Sequence, residues 1–365
     1  MSKKISPATA DALRQLDTHL NPLWQLGRNA VLAWTTHKSG LRVIVIPVRE
    51  LLRHVSQEPA LLRGPRFLEE KAFNELAATV EVIPVEIISS LRVGHQDPAV
   101  PWETIERVIR RYSITETLNR GVVLFDIVGF SKLTSIQQIA QLNSLEYCIN
   151  MAHRRARDWS LPVEVARSTT GDGFYVWNRT MGMAGDIALL LLLLLTLAEN
   201  DQERSLDRHR MVPVLRSVFS IGRHYGYYQI EGLSPRGYDY IVGDVTISLA
   251  RLIQKTGAGQ VLIGSFERAT RDGGSETIAT PEFVAHADKY FRKLVGRELG
   301  GHQITEAAIN LTGSREHGYD KLFIDDKHGI EHIAYNAQAK IYRGGRIPIL
   351  LGMASVRGEP AAAAG

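Results

Sequence analysis

The middle of the sequence predicts an α+β fold, a β-α-β-β-α-β sandwich of the ferredoxin-like kind with its helices on one face of an antiparallel sheet. An additional N-terminal α/β region precedes it. Three stretches carry the prediction. Residues 121–128, "GVVLFDIV", place branched and aromatic hydrophobes around Asp126, the pattern of a buried strand. "VEVARSTTGDGFYVWN" reads as two strands joined by a tight Gly171-Asp172-Gly173 turn. "IALLLLLLLTLA" is apolar for 12 residues and then meets "ENDQERSLDRHR". Crossing a bilayer takes about 20 apolar residues, so this run predicts a core helix, with Asp186 near its start to suit the helix dipole.

The remaining elements follow in chain order. Residues 1–115 form a region of unknown role. "AVLAWTT" and "LRVIVIPV" are strands separated by "HKSG", "RFLEEKAFNELAATV" has helical spacing, and "GHQDPAVPWET" is a loop leading into a helix at Thr104–Arg111. The domain that carries chemistry spans 116–350, with a core at 118–265. Its first strand leads to a helix at Ser135–Arg157. After the leucine helix, "PVLRSVFSIGRHYGYYQIE" gives a strand, a turn and a second strand. "YDYIVGD" is a strand, "VTISLARLIQKT" a helix stopped by "GAG", and "QVLIG" a strand. "GYDKLFIDDKHGIEHIAYN" closes as a hairpin, and 351–365 is a disordered tail.

Composition sets the limits. The chain has 365 residues, 44% hydrophobic and 22% charged, enough for about two domains with real cores. Lys plus Arg exceed Asp plus Glu by 43 to 39, too mild a surplus to argue for nucleic acid. The single cysteine, Cys148, fits a reducing compartment and reads as a small buried hydrophobe. With no signal peptide pattern behind the first lysines and no spanning segment, the expectation is a cytoplasmic protein without a membrane partner.

Asp126 poses the chemical question. An ionised carboxylate in so apolar a strand must be neutralised, hydrogen-bonded or bound to a cation. Asp172 lies in the turn of the following hairpin; if the strands are neighbours, both acids reach one point at the sheet edge. Two carboxylates make a hard oxygen site suited to Mg²⁺ or Mn²⁺, ions that take phosphates as further ligands. Backbone N–H groups of about 127–131, where the chain turns through Gly129 toward a helix, could face a triphosphate. Each acid alone also reads as a plain turn or cap residue. Their pairing raises the metal reading.

"FDIVGFSKL", "TTGDGFYVW", "IGRHYG" and "YDYIVGDVTISLARL" resemble, in order, the motifs of the class III nucleotide cyclase catalytic domain. The resemblance implies two ions, Mn²⁺ or Mg²⁺, held by Asp126, Asp172 and the Ile127 carbonyl, with a nucleoside triphosphate cradled by Val128, Gly129, Phe130 and Ser131. It also implies a transition-state arginine at Arg251, a phosphate lysine at Lys327 in the late hairpin, and a homodimer with shared sites. The triphosphate arginine is harder to place: the aligned position is Ser220, and Arg223 is the nearest base.

The departures concern the base. Ser168 stands where purine cyclases carry a lysine, Tyr240 stands at its acidic or Thr partner, and Ile247 replaces an Asn. Arg167 beside Ser168 offers donors for a carbonyl. The pattern is similar to bacterial pyrimidine cyclases of Pycsar anti-phage defence, which make cyclic UMP or cyclic CMP for an effector. Conversion of UTP or CTP to the 3′,5′-cyclic monophosphate is the expectation. The alternatives are an adenylate cyclase and a degenerate nucleotide-sensing domain. His224 and His317 have no ligand-spaced company and read as satisfied-core or surface histidines.

Overall fold

The computed structural model describes residues 7–88, 101–207, 209, 211–230, 237–271, 274–326 and 329–352. The chain divides into two compact units. One comprises residues 1–117 with 225–242; the other comprises 118–224 with 243–365.

In the first unit, α1 (Pro7–Trp24) precedes the hairpin β1 (Asn29–His37) and β2 (Gly40–Pro47). Helices α2 (Val48–Gln57) and α3 (Glu70–Thr79), strand β3 (Val85–Ile88) and helix α4 (Trp102–Ile109) follow. The sheet order is β1-β2-β3. Alternation splits the core in two: Val31 and Val43 pack with Leu16, Leu20 and Ile105, whereas Leu32 and Ile44 pack with Phe73 and Ala77. Glu106 is buried and fully used. It accepts from Trp34 Nε1 at 2.7 Å, the Arg66 amide at 2.7 Å and Arg110 Nε at 2.9 Å. Residues 225–230 pair antiparallel with 237–242, and the Tyr225 hydroxyl donates to Glu116 at 3.2 Å.

The second unit is built on β4 (Thr115–Ile127), α5 (Ser135–Asp158), β5 (Val165–Thr169), β6 (Gly173–Asn178), α6 (Met183–Leu206) and β7 (Leu215–Ile230). Their order in the sheet is β7-β4-β6-β5, the predicted β-α-β-β-α-β arrangement. Strand β8 (Gly237–Val242) and helix α7 (Asp244–Ile253) lead to β9 (Val261–Gly264). A short ribbon, β10 (Glu267–Ala269) with β11 (Thr277–Ala279), precedes α8 (Thr280–Phe291). Strands β12 (Glu298–Leu299), β13 (His302–Leu311), β14 (Gly313–Ser314), β15 (Gly318–Tyr319), β16 (Lys321–Asp325), β17 (Glu331–Arg343) and β18 (Ile349–Leu351) complete it. Strands β13 and β17 continue the main sheet beyond β9, and β16 with β17 is the predicted late hairpin. Leu351, which the sequence assigned to a tail, pairs with Ala339.

Two features depart from an antiparallel sheet with helices on one face. Strands β7 and β9 are parallel, with Ser217 opposite Val261 and Phe219 opposite Ile263. A parallel pair needs a crossover, and α7 lies within it. That helix covers the face opposite α5, α6 and α8. Val123, Phe125 and Ile127 of β4 and Phe219 and Ile221 of β7 share one core with α5, α6 and α8. The alternate residue Gly222 instead meets Val245 of α7, where an added Cβ would come within 3.1 Å. The sequence marked α7 as a helix; it could not show which face the crossover delivers it to.

The leucine run is a buried helix centre. Ile187 through Leu195 are all at most 3% exposed. The whole helix is long and apolar enough to cross a membrane by composition, with 89% of its most apolar window buried within the fold. Asp186 does more than suit the dipole. It takes Arg268 Nε at 2.8 Å and the Gly121 amide at 2.6 Å, both deep in the interior. Burial pushes its carboxyl upward, and Gly121 and Arg268 pull it back.

Candidate functional site

The two acids predicted to meet do meet. Strands β4 and β6 pair so that Asp126 stands opposite Gly173, and the Ile127 amide donates to the Asp172 carbonyl at 3.0 Å. A glycine is required there: a Cβ on residue 173 would lie 1.9 Å from the Phe125 oxygen. The close crossing drops Asp172, at the turn, beside the end of β4. Asp126 is 6% exposed. Burial drives its carboxyl upward in pKa, Arg216 opposes this, and the charge of Asp172 with a hydrogen bond between the two carboxyls pushes it up further.

Arg216 is the residue that the sequence reading missed. Its Nε donates to Asp126 Oδ2 at 2.6 Å, and its Nη1 reaches the Thr256 carbonyl at 3.4 Å. Alternation explains the encounter: Leu215 and Phe219 of β7 join the apolar core, so Arg216 projects to the α7 face. Asp126 projects there too, because Phe125 and Ile127 face the core. The signal was the one charged residue in the first seven of the strand, "LRSVFSI". The two positions weighed for a triphosphate arginine stand elsewhere. Ser220 is a buried residue of β7, and Arg223 is held by Asp244 at 2.9 and 3.1 Å.

The phosphate cradle is narrower than predicted. The Ile127 amide is spent on Asp172, and the Val128 amide on the Val214 carbonyl at 2.9 Å. That leaves Gly129, Phe130 and Ser131 as the candidates for the predicted cradle. Gly129 has φ 72°, which glycine adopts without strain, and it opens a 3-10 turn at Phe130–Lys132. The long helix starts only after a Thr134–Gln137 capping box.

The base-reading residues separate. Ser168 stands opposite Tyr175, whose hydroxyl donates to the Thr246 carbonyl of α7 at 3.1 Å; Ser168 therefore shares the face of Asp126. Arg167, one residue away, projects to the other face. There it is held by Glu146 and by Asn150 at 3.0 Å, with its guanidinium 5.7 Å from the Phe174 ring centre. The expected Arg167–Ser168 partnership fails because consecutive strand residues point apart. Tyr240 belongs to the first unit, where it stands opposite Tyr227 with ring centres 5.4 Å apart. Lys327 lies outside the described residues.

Arg251 projects from α7 with its Nε 3.6 Å from Asp326 Oδ2. Among the described residues no hydrogen bond or ion pair joins it to Asp126 or Asp172. His224 is not a satisfied-core histidine. It is 1% exposed, and neither ring nitrogen has a hydrogen bond of good geometry among the described residues. Burial first, then the Arg120 charge, holds its imidazole down to about 3, against a weak pull from the Gly222 backbone. His317 sits at an exposed turn beside Ser314.

The donor set fits a hard divalent cation. Two carboxylates crowd together at a buried strand end, with the Ile127 carbonyl one residue on and Thr170 Oγ1 3.3 Å from Asp172 Oδ1. No cluster of three or more His, Cys, Asp or Glu side chains suited to a metal occurs among the described residues. Mg²⁺ and Mn²⁺ do not need one, since water and phosphate complete their shells.

No protein-family model and no curated protein matches the chain. Similar solved structures include the guanylate cyclase domain of RhGC from Catenaria anguillulae in complex with GTP, at 13% identity and TM-score 0.37, covering 61% of this chain and 97% of that one. The guanylyl cyclase Cya2 overlaps at 13% identity and TM-score 0.38, over 61% and 92%. The adenylyl cyclase CyaB from P. aeruginosa overlaps at 17% identity and TM-score 0.30, over 45% and 93%. These overlaps are loose, and the functional reading rests on the residues of this chain.

Proposed function

We propose that the chain is a metal-dependent nucleotide cyclase that converts UTP or CTP to the 3′,5′-cyclic monophosphate and pyrophosphate. The observation that carries the reading is the convergence of Asp126 and Asp172 at one strand end beside Arg216, on the sequence motifs that resemble class III cyclases. A sensing domain has no need of two acids crowded at one strand end, one of them buried; a triphosphate enzyme does.

Asp126, Asp172 and the Ile127 carbonyl would hold two Mg²⁺ or Mn²⁺ ions, which supply Lewis-acid activation of the ribose hydroxyl and neutralise phosphate charge. In the reaction the 3′-oxygen forms a bond to the α-phosphorus, the bond from that phosphorus to the bridging oxygen breaks, and pyrophosphate leaves. The hydroxyl proton passes to solvent. Gly129, Phe130 and Ser131 present amides to the phosphates at the start of a 3-10 turn. Arg216 can exchange its carboxylate for a phosphate oxygen, a partner its planar fork fits as well. Arg251 stabilises the charge that grows on the α-phosphate.

The base preference rests on Ser168 and Tyr240, which replace the lysine and acid of purine cyclases. A pocket built on particular hydrogen bonds rejects analogues that leave its own groups unpaired. With Arg167 turned away, Ser168 remains as the donor for a pyrimidine carbonyl. Following the resemblance, the enzyme works as a homodimer in the cytoplasm, and its product signals to an effector in anti-phage defence. Incubation with each of the four nucleoside triphosphates and Mn²⁺, with mass identification of the product, tests the reading. Cyclic UMP or cyclic CMP as the main product supports it. Faster cyclisation of ATP replaces it with the adenylate cyclase alternative, and no cyclic product from any substrate ends it.

A further inference from the structure

We infer that Asp326, in the C-terminal extension beyond the cyclase-like core, is the positioning residue of Arg251. The inference rests on the reading of Arg251 as the arginine that serves the reacting phosphate.

The late hairpin fixes the carboxylate before Arg251 meets it. Asp326 Oδ1 accepts the Ile330 amide at 3.0 Å, the Asp326 amide donates to the Ile330 carbonyl at 3.0 Å, and the Gly329 amide donates to the Asp326 carbonyl at 3.0 Å. One carboxylate oxygen is thus tied into its own turn. The other, Oδ2, is aimed at the Arg251 guanidinium, with Nε at 3.6 Å, and at the His332 imidazole, with Nε2 at 3.8 Å. The Asp326 side chain is only 3% exposed, so water does little to screen the pair.

His332 reaches this point by register. Tyr335 and Ala337 of β17 face the apolar core, so His332, Ala334 and Asn336 face α7. Asp326 takes Arg251 on the Nε side, at the root of the guanidinium, and this contact leaves the two terminal nitrogens for another oxygen. An acid that sequestered Arg251 would instead bind the terminal fork bidentately. The Nε atom is buried without a hydrogen bond among the described residues, so the charge of Asp326 is what orients it.

A long, flexible arginine that must meet a transient charge gains from such a tether, because a misplacement of about 1 Å can cost about a hundredfold in rate. The extension would then hold part of the catalytic apparatus in place and not only lengthen the sheet.

The test compares Asp326→Asn, Asp326→Glu, Arg251→Ala and the double variant Arg251→Ala/Asp326→Asn. Steady-state cyclisation is measured with each nucleoside triphosphate and Mn²⁺, alongside thermal melting and the NMR cross-peak of the Arg251 Nε–Hε group. Asn preserves the bond to Ile330 and removes the charge. The expected result for Asp326→Asn is a loss in kcat of about tenfold to a hundredfold with KM within twofold of wild type. Asp326→Glu should recover part of it, and the double variant should be no worse than Arg251→Ala alone. The Arg251 Hε signal should shift and exchange faster in Asp326→Asn. Wild-type kcat in Asp326→Asn while Arg251→Ala is inactive overturns the positioning role and leaves the function reading intact. Full activity in Arg251→Ala overturns the function reading itself. An unchanged Hε signal, or a rise in kcat in Asp326→Asn, overturns the inference whatever the substrate proves to be.

Discussion

Replacing Arg216 with Met separates two explanations of the buried acid at the end of β4. In the native chain the guanidinium lies 2.6 Å from Asp126 Oδ2, and Asp126 is 6% exposed. Arg216→Met keeps most of the apolar stem and deletes the charge. Breaking a buried ion pair by removing one partner costs about 3–5 kcal/mol. The Arg216 side chain is 28% exposed, so solvent already shares its charge and the cost drops below that range, to about 2–3 kcal/mol. For a unit of this size that corresponds to a fall in melting temperature of about 5–10 °C. The assay is thermal and urea unfolding at pH 7, first in EDTA and then in excess Mn²⁺. A cation that binds only the folded pair stabilises it by about 2.7 kcal/mol at a hundredfold excess over Kd. Mn²⁺ should therefore return most of the loss in the variant. Coupling with Asp126→Asn should also restore stability, since the stranded charge disappears. A variant within about 0.5 kcal/mol of wild type in EDTA would show that the pair carries no weight. A full loss that Mn²⁺ leaves untouched would refute the metal site and reduce Asp126 to a structural anion.

Three further outcomes follow from the geometry. Gly173→Ala forces a Cβ to within 1.9 Å of the Phe125 oxygen, so the strands must part and urea unfolding should show a loss above about 2 kcal/mol. His224 titrates near 3 in the folded chain against 6.5 in the unfolded one, so between those values the unfolded state holds more protons and stability falls as pH drops. The loss from neutral pH to pH 5 should be about 2 kcal/mol, and His224→Leu should flatten that slope. Mixing inactive Asp126→Ala and Arg251→Ala chains should restore about a quarter of wild-type activity if a two-fold dimer shares its sites, since half the dimers carry one intact site of two. Verified mixed dimers that stay inactive would place the whole site in one chain.

The β-α-β-β-α-β unit was legible because apolar runs and turn glycines mark it without reference to distant contacts. "VVLFDI" could be little except a buried strand, and "STTGDGFYV" little except a hairpin. Asp126 and Asp172 were found for the same reason: two local signals placed them at strand ends, and the sheet order joined them. Arg216 was not found, because its role depends on β7 lying next to β4, which no local pattern states. Arg167 was misplaced by treating sequence neighbours as spatial neighbours, although alternation sends it to α5 and Ser168 to the opposite face. Of the C-terminal extension only the late hairpin was read. Helix α8 and strand β13 carry no motif, and nothing local announces that the sheet continues past β9.

The sheet of the second unit therefore divides its labour by face. Toward α5, α6 and α8 it presents Val123, Phe125, Phe219 and Tyr335, a nearly continuous apolar surface whose substitution would register as lost stability. Toward α7 it presents Asp126, Arg216, His224 and His332, with Arg251 and Asp326 beside them. Buried charges are a costly way to stabilise a fold, because their desolvation consumes most of what pairing returns. The α7 face gathers these six titratable side chains, whereas the buried charges of the other face close in pairs, Asp186 with Arg268 and Arg155 with Glu199; a cluster of that size makes poor sense as a stability device. The proposed function gives them a use: a bound polyanion and its cations would complete the charge balance, Asp126 and Asp172 meeting the cations and Arg216 and Arg251 the phosphates.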